Sequence, residues 1–452
     1  MSRLPDLLRL PRLPRVRLPL PLTTATLLLL LLLPSLALWR WPRPRAQGLE
    51  QLMATASLLQ SFPASPERPV PALWRQRLGE DLAPRLWRQQ RRLWWQFWGM
   101  HTDGAAYLAV QDPAGEGEQR PLPANGLRVG NLLVVAPDPL SRRLLRDQLR
   151  PEQRAGRGLY NACLPRLENG QGVFWNAAGL GVLVGQVAPL LEAYQEGCLS
   201  LGLDSEGVRW QGEAATRASA GTGSMVPTGS RETAPSLAPL PADVLLELQG
   251  SSLEQLFRGL LSRQLIRDPL AARYGIDTRG LALLRRSPFR LRLLPQASGP
   301  FQASLELQVA VGNDRQGWRQ LLAGLARSLQ AQDLEQASAA PAAWRRKDGV
   351  VLGGWRWIGE TGPTPQLQLF LGPVPSRGAP IVTTTTGDQA SGDGALRMQV
   401  RPQALDLLGL LPEQMPELVR RSDQLWMEAA PLQPGGRSAG VSRLWGRLRV
   451  NR

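Results

Sequence analysis

The chain has 452 residues, 43% of them hydrophobic, and a formal net charge of +16. That apolar content excludes a disordered chain, and the length allows two or three ordinary domains or one body of repeated units. Nucleic acid is excluded as a partner: residues 1–45 carry +7 of the charge, Lys347 is the only lysine, and the Arg of the remainder are scattered rather than striped along one element.

Residues 18–39 read LPLPLTTATLLLLLLLPSLALW and hold no charge. A bilayer core of about 30 Å takes about 20 apolar residues as a helix, so this stretch is expected to span. Arg3, Arg9, Arg12, Arg15 and Arg17 precede it, and Arg40, Arg43 and Arg45 follow it. That asymmetry sets residues 1–17 as a basic cytoplasmic tail and sends the main domain across the membrane, into a periplasm or lumen. Residues 18–41 thus serve as a single-pass anchor in contact with lipid. The rival reading is a cleaved signal, with Ser35-Leu36-Ala37 as the small-x-small site.

Residues 46–100 read as a helical stalk, with a proline-rich link at 61–71. Within it, 84–98 (PRLWRQQRRLWWQFW) has the look of a basic amphipathic helix. Its Trp87, Trp94, Trp95 and Trp98, with Arg88, Arg91 and Arg92, are candidate contacts to the membrane surface. The alternative, which we favour, is that its wide apolar face caps a sheet.

A first α+β unit is expected over 104–213. Strands are read at 105–111 and 127–136, and a helix at 138–149 starts on Asp138-Pro139. A hairpin is read at 172–177 and 180–185, a helix at 187–196, and a second hairpin at 199–204 and 208–213. Residues 214–241 are rich in Ala, Ser, Thr, Gly and Pro and read as a disordered linker.

A second α+β unit covers 242–452. It reads as a strand at 243–248, a helix at 253–267, a hairpin at 289–294 and 301–311, and an amphipathic helix at 314–332. Strands follow at 349–358 and 366–372, then a polar loop at 376–394. A strand at 396–401, a helix at 402–419 and strands at 425–429 and 437–450 close the chain. The order strand-helix-strand-strand recurs at 127–185, 301–372 and 396–450. The fold class is therefore α+β, with antiparallel sheets, helices on one face and an N-terminal transmembrane helix.

GVFWNAAGLGVLVGQVAPLLEA, then CLSLGLDSEGVRWQGEA, then PADVLLELQGSSLEQLFRGLL give a distinctive order of turns and alternating strands. This order resembles an uncharacterised family of single-span bacterial envelope proteins, frequent in photosynthetic bacteria, and the likeness covers residues 125–450. The resemblance implies an anchor and an exported α+β domain. It implies no activity and carries over no functional residues.

Side chains that could do chemistry are sparse. His101, beside Asp103, is the only histidine, which excludes any two-histidine site within one chain, and no Gly-x-Ser-x-Gly elbow is present. Gly179 to Gly185 has GxGxxxG spacing, one residue off a dinucleotide loop, and its apolar context reads as a hairpin turn. Lys347 lacks a preceding glycine loop, and Asp204, Glu206, Asp348, Asp393, Glu116 and Glu118 sit in Gly-containing turns and loops. Cys163 and Cys198 could pair in an exported domain, or both could be small buried hydrophobes; with one histidine they make no metal site. Trp175, Trp355 and Trp357 alternate in strands and could line an apolar groove or simply fill a core. No cofactor is expected. The leading expectation is a non-enzymatic, anchored domain that binds a protein partner or envelope component. The alternative is a carrier of an apolar ligand such as a lipid or pigment, and an unidentified hydrolase comes third.

Overall fold

The computed structural model describes residues 45–100, 105–112, 122–149, 156, 159–184, 194–216, 240–253, 264–297, 299–337, 341–360, 362, 364–375, 395–411, 415, 417–431 and 440–450. The expected tail and membrane span (1–41), His101, most of the linker (217–239) and the polar loop 376–394 lie outside them. No helix among the described residues is long and apolar enough to cross a membrane.

Ala46–Arg452 forms one compact unit, so the two expected α+β units belong to a single body. Its class is α+β. Among the described residues eighteen strands join into one sheet, and every pairing is antiparallel. In chain order the strands are β1 (Ala56–Pro63), β2 (Leu93–Gly99), β3 (Tyr107–Gln111), β4 (Gly126–Val129), β5 (Leu132–Val135) and β6 (Gly172–Trp175). Then come β7 (Glu196–Asp204), β8 (Gly207–Ala215), β9 (Leu246–Gly250), β10 (Phe289–Pro295), β11 (Ala303–Ala310) and β12 (Glu335–Gln336). Last are β13 (Ala342–Arg345), β14 (Val351–Ile358), β15 (Gln366–Leu371), β16 (Leu396–Val400), β17 (Ser422–Pro431) and β18 (Val441–Val450). In space they run 4-5-3-2-1-6-7-8-18-17-16-9-10-11-15-14-13-12. The C-terminal strand β18 lies between β8 and β17 and joins the two halves, pairing Val441 with Ala215 through to Arg449 with Gly207.

The stretch expected as a helical stalk holds two helices and also two strands of the sheet. After the short helix α1 (Leu49–Thr55) the chain enters β1, and β2 follows the helix α2 (Ala72–Gln89). The expected helix over 84–98 therefore ends at Gln89. Neighbouring residues of a strand point to opposite faces, so Trp94 and Trp95 enter two different cores. Both faces of β2 are covered, which makes its sequence apolar almost throughout and lets it imitate the broad face of a helix.

On one face, α1 and the helices α3 (Pro139–Gln148) and α4 (Leu159–Asn169) cover Leu59, Trp95, Phe97, Tyr107 and Phe174. On the other, α2 covers Trp94, Leu108, Val110, Leu133 and Val135. Trp74 sits edge-on to Trp87 and Trp94, with ring centroids 5.0 and 5.9 Å apart. Helices thus lie on both faces of this half, not on one.

Two other expectations change. The strand at 127–136 is a tight hairpin, β4–β5, turning at Gly130 with φ 55°. The strand at 180–185 is helix α5 (Ala177–Val184). Asn176 starts that helix: its Oδ1 accepts from the backbone N–H of Ala178 and Gly179. The strand-helix-strand-strand repeat at 127–185 does not form. The helix at 138–149 forms as expected, with Asp138 accepting from the Ser141 N–H at 2.9 Å.

From β7 to β14 the sheet is two-faced. One row crosses ten strands as Leu201, Trp210, Gly446, Met427, Met398, Leu248, Leu291, Leu307, Leu369 and Trp355. The adjacent row, on the opposite face, is Ser200, Gln211, Trp445, Glu428, Arg397, Gln249, Arg290, Gln308, Gln368 and Arg356. The apolar face packs on the helices α6 (Gln264–Tyr274), α7 (Thr278–Arg286) and α8 (Arg315–Gln330), with Trp318 and Phe289 both 1% exposed. Beyond them, α9 (Pro402–Leu407) and α10 (Glu417–Arg420) lie along β17.

Candidate functional site

Between α6, α8 and strands β11 and β13–β15 lies a cleft of about 310 Å³. Asp314 starts α8 by accepting from the Gly317 N–H at 2.8 Å, and the i, i+4 pair Leu325 and Leu329 then faces the sheet. Leu305 and Leu307 of β11, Leu369 and Leu371 of β15 and Trp355 of β14 come from the apolar rows of the sheet. Trp344 of β13 and Leu334 complete the wall, and Tyr274 supplies the single polar side chain among the lining residues. Trp344 and Trp355 lie 5.8 Å apart, both buried.

Gly353 and Gly354 set the floor. A Cβ on Gly354 would stand 2.2 Å from the carbonyl oxygen of Ala342, and one on Gly353 would stand 2.5 Å from that of Phe370. Only glycine lets these backbones approach so closely. Among the described residues no charged side chain lines the cleft, so it suits a ligand part that water also rejects.

The opposite face of the same strands is an ionic lattice. Arg292 donates to Glu247 at 2.6 Å, Arg356 donates to the Gln368 Oε1 at 2.7 Å, and the Gln368 Nε2 donates to Glu306 at 3.2 Å. Arg397 lies 3.3 Å from Glu428, whose residue is 3% exposed. Burial raises the Glu306 carboxyl above its ordinary range, against the pull of Arg292, the Gln368 hydrogen bond and Arg356. Burial also lowers the Arg290 guanidinium, with Glu247 opposing and Arg292 assisting.

Comparison with protein-family models, with curated proteins and with solved structures gave no match. The site is therefore read from its own geometry.

Of the candidate membrane-surface residues, Trp87, Trp94 and Trp95 are 4, 6 and 3% exposed and fill the two cores. The Trp87 Nε1 donates to the Arg68 carbonyl and the Trp95 Nε1 to the Leu167 carbonyl. Trp98 is half-buried against the second-half core, and Arg88, Arg91 and Arg92 are exposed. These seven residues do not share one helix face. Cys163 of α4 and Cys198 of β7 are joined in a disulfide, with Cα atoms 5.6 Å apart, and both are fully buried. Of the alternating tryptophans, Trp355 lines the cleft, Trp357 is half-buried near it, and Trp175 is core, its Nε1 donating to the Tyr194 carbonyl. Lys347 is exposed, in the turn where Arg346 pairs with Asp348.

Among the described residues, no three His, Cys, Asp or Glu side chains gather as a metal site would require. Trp344, Tyr274, Leu307 and Leu325 escape a reading of the sequence, because each belongs to an ordinary apolar alternation and only the tertiary fold brings them together.

Proposed function

We propose that this protein binds an apolar ligand, of the lipid or pigment kind, in the cleft between α8 and the sheet. The observation that carries this reading is the cleft itself: about 310 Å³, walled by leucine and tryptophan, with no charged side chain among the described lining residues. That volume is at the lower end of the range of small-molecule sites. Leu203 and Leu407 are exposed on separate elements, which is normal for a surface and gives less support to a protein interface.

The same proposal has residues 18–41 hold the chain in the membrane, residues 1–17 on the cytoplasmic side, and the unit from Ala46 onward exported. The Cys163–Cys198 disulfide supports export, since such bonds persist in oxidising compartments. The role proposed is binding, not catalysis.

Titration of the purified protein with a fluorescent fatty acid tests the cleft. Saturable binding is expected, and Leu307→Trp, which fills the space, should weaken it about tenfold or more with the fold intact by circular dichroism. Absence of saturable binding, or equal binding by the variant, overturns the reading.

A further inference from the structure

The polar face of the sheet is a second surface, independent of the cleft. It runs across ten strands, about 43 Å at 4.8 Å per strand. Its eight arginines, at 209, 290, 292, 356, 397, 443, 447 and 449, outnumber its six acids, Glu196, Asp204, Glu213, Glu247, Glu306 and Glu428. Several arginines are spent on ion pairs within the protein: Arg292 on Glu247, Arg397 on Glu428, and Arg447 on Asp204 and Glu206 at 2.8 and 2.9 Å. Arg209 and Arg449 are exposed at the β7–β8–β18 end of the face.

Two tryptophans stand at that same end. Register sets Trp445 opposite Glu428 and Trp426 opposite Arg447, so both rings project from the polar face on adjacent strands. Both are half-buried, and the Arg443 guanidinium lies 5.8 Å from the Trp445 ring centroid. The amides of Gln211 and Gln399 are on the same face, one strand away on either side.

We propose that this face binds an extended anionic glycan, a chain of sugar rings bearing carboxylates. Indole rings offer flat surfaces to the C–H faces of sugars. Planar amides can bond two neighbouring hydroxyls at once, and guanidinium groups bond carboxylates in a fork. The arginines at the exposed β8–β18 end of the face match a polymer with repeated negative charge. An apolar ligand would strand these polar groups, and the cores of protein interfaces are depleted in charge.

The test is binding of the full chain to polygalacturonate, with dextran as the neutral polymer and polyglutamate and single-stranded DNA as competing polyanions. Wild type should bind polygalacturonate and not dextran. The double variant Arg209→Glu, Arg449→Glu changes exposed groups only and should weaken binding about tenfold. The basic N-terminal flank is common to both proteins, so its attraction cancels in the comparison. Trp445→Ala should weaken polygalacturonate while leaving polyglutamate unchanged, a distinction that loss of folding would not produce. Equal binding by wild type and the charge variant overturns the proposal, as does retention of polyglutamate or DNA at the strength of polygalacturonate.

Discussion

The two halves of the sheet solve burial differently. Strands β1 to β6 are covered on both faces, so their sequences are apolar nearly throughout: LWWQFWG in β2 and LLVV in β5. Strands β8 to β11 and β15 to β18 have one covered face and alternate: FRLRLLP in β10 sends Leu291 and Leu293 to the helices and Arg290 and Arg292 to the ionic lattice. The difference teaches where function has room. A half sandwiched between helices on both sides is committed to packing. The other half keeps an apolar cleft under α8 and a polar face on its reverse.

Truncation should separate the halves most sharply. Trp74→Ala removes a fully buried ring from the three-tryptophan cluster and should destabilise the protein by about 3–5 kcal/mol, read as a shift in the denaturation midpoint. Trp445→Ala on the polar face should cost clearly less, because that ring is only partly buried. Equal losses would mean that the polar face is packed as tightly as the core. Trp74→Phe refines the point. The Trp74 Nε1 is buried with no hydrogen-bond partner among the described residues, so losing that N–H removes a penalty and offsets part of the lost packing.

The disulfide comes next in size. It ties α4 to β7 across 35 residues of chain and sits in the core of the first half. Replacing both cysteines with alanine should cost about 2–4 kcal/mol. Apolar-ligand binding should survive where the protein is folded, because the cleft lies in the other half. Loss of binding at full folding would show that the halves are coupled through β8 and β18.

Local features of the fold were legible and distant ones were not. Asp138 announces its helix, since a carboxylate there satisfies N–H groups that the first turn leaves bare, and the helix legible at 314–332 from its amphipathic pattern starts in the same way at Asp314. The hairpin β7–β8 was legible from its alternation and its Ser205-Glu206-Gly207 turn. Asp277, capping α7 through the Gly280 N–H, is an equally readable signal. Trp94 and Trp95 misled because a strand buried on both faces has no alternation to betray it. Nor could the sequence show that β18 pairs with β8, or that Tyr274, Leu307, Trp344 and Leu369 share one cleft. Those facts depend on which strands meet, and many alternating strands offer similar edges.

The smallest expected effect concerns the polar lattice and its response to pH. Burial raises Glu306 above its ordinary value of 4.5, so in the folded protein it holds its proton to higher pH than in the unfolded chain. Within that window the native state binds more protons than the unfolded one. The Glu306 contribution to stability is therefore complete below pH 4.5 and declines as pH rises from there through the raised folded value. Asp138 and Asp204 are shifted downward and act in the opposite sense at lower pH, so the wild-type curve alone cannot isolate Glu306. The difference between wild type and Glu306→Gln can. The glutamine keeps an oxygen acceptor toward Gln368 and carries no charge, so the variant should gain on wild type as pH climbs above 4.5 and hold that gain toward neutrality. Parallel denaturation curves across that range would show that Glu306 is solvated after all, and that water reaches the middle of the lattice as freely as it reaches its Arg209 end.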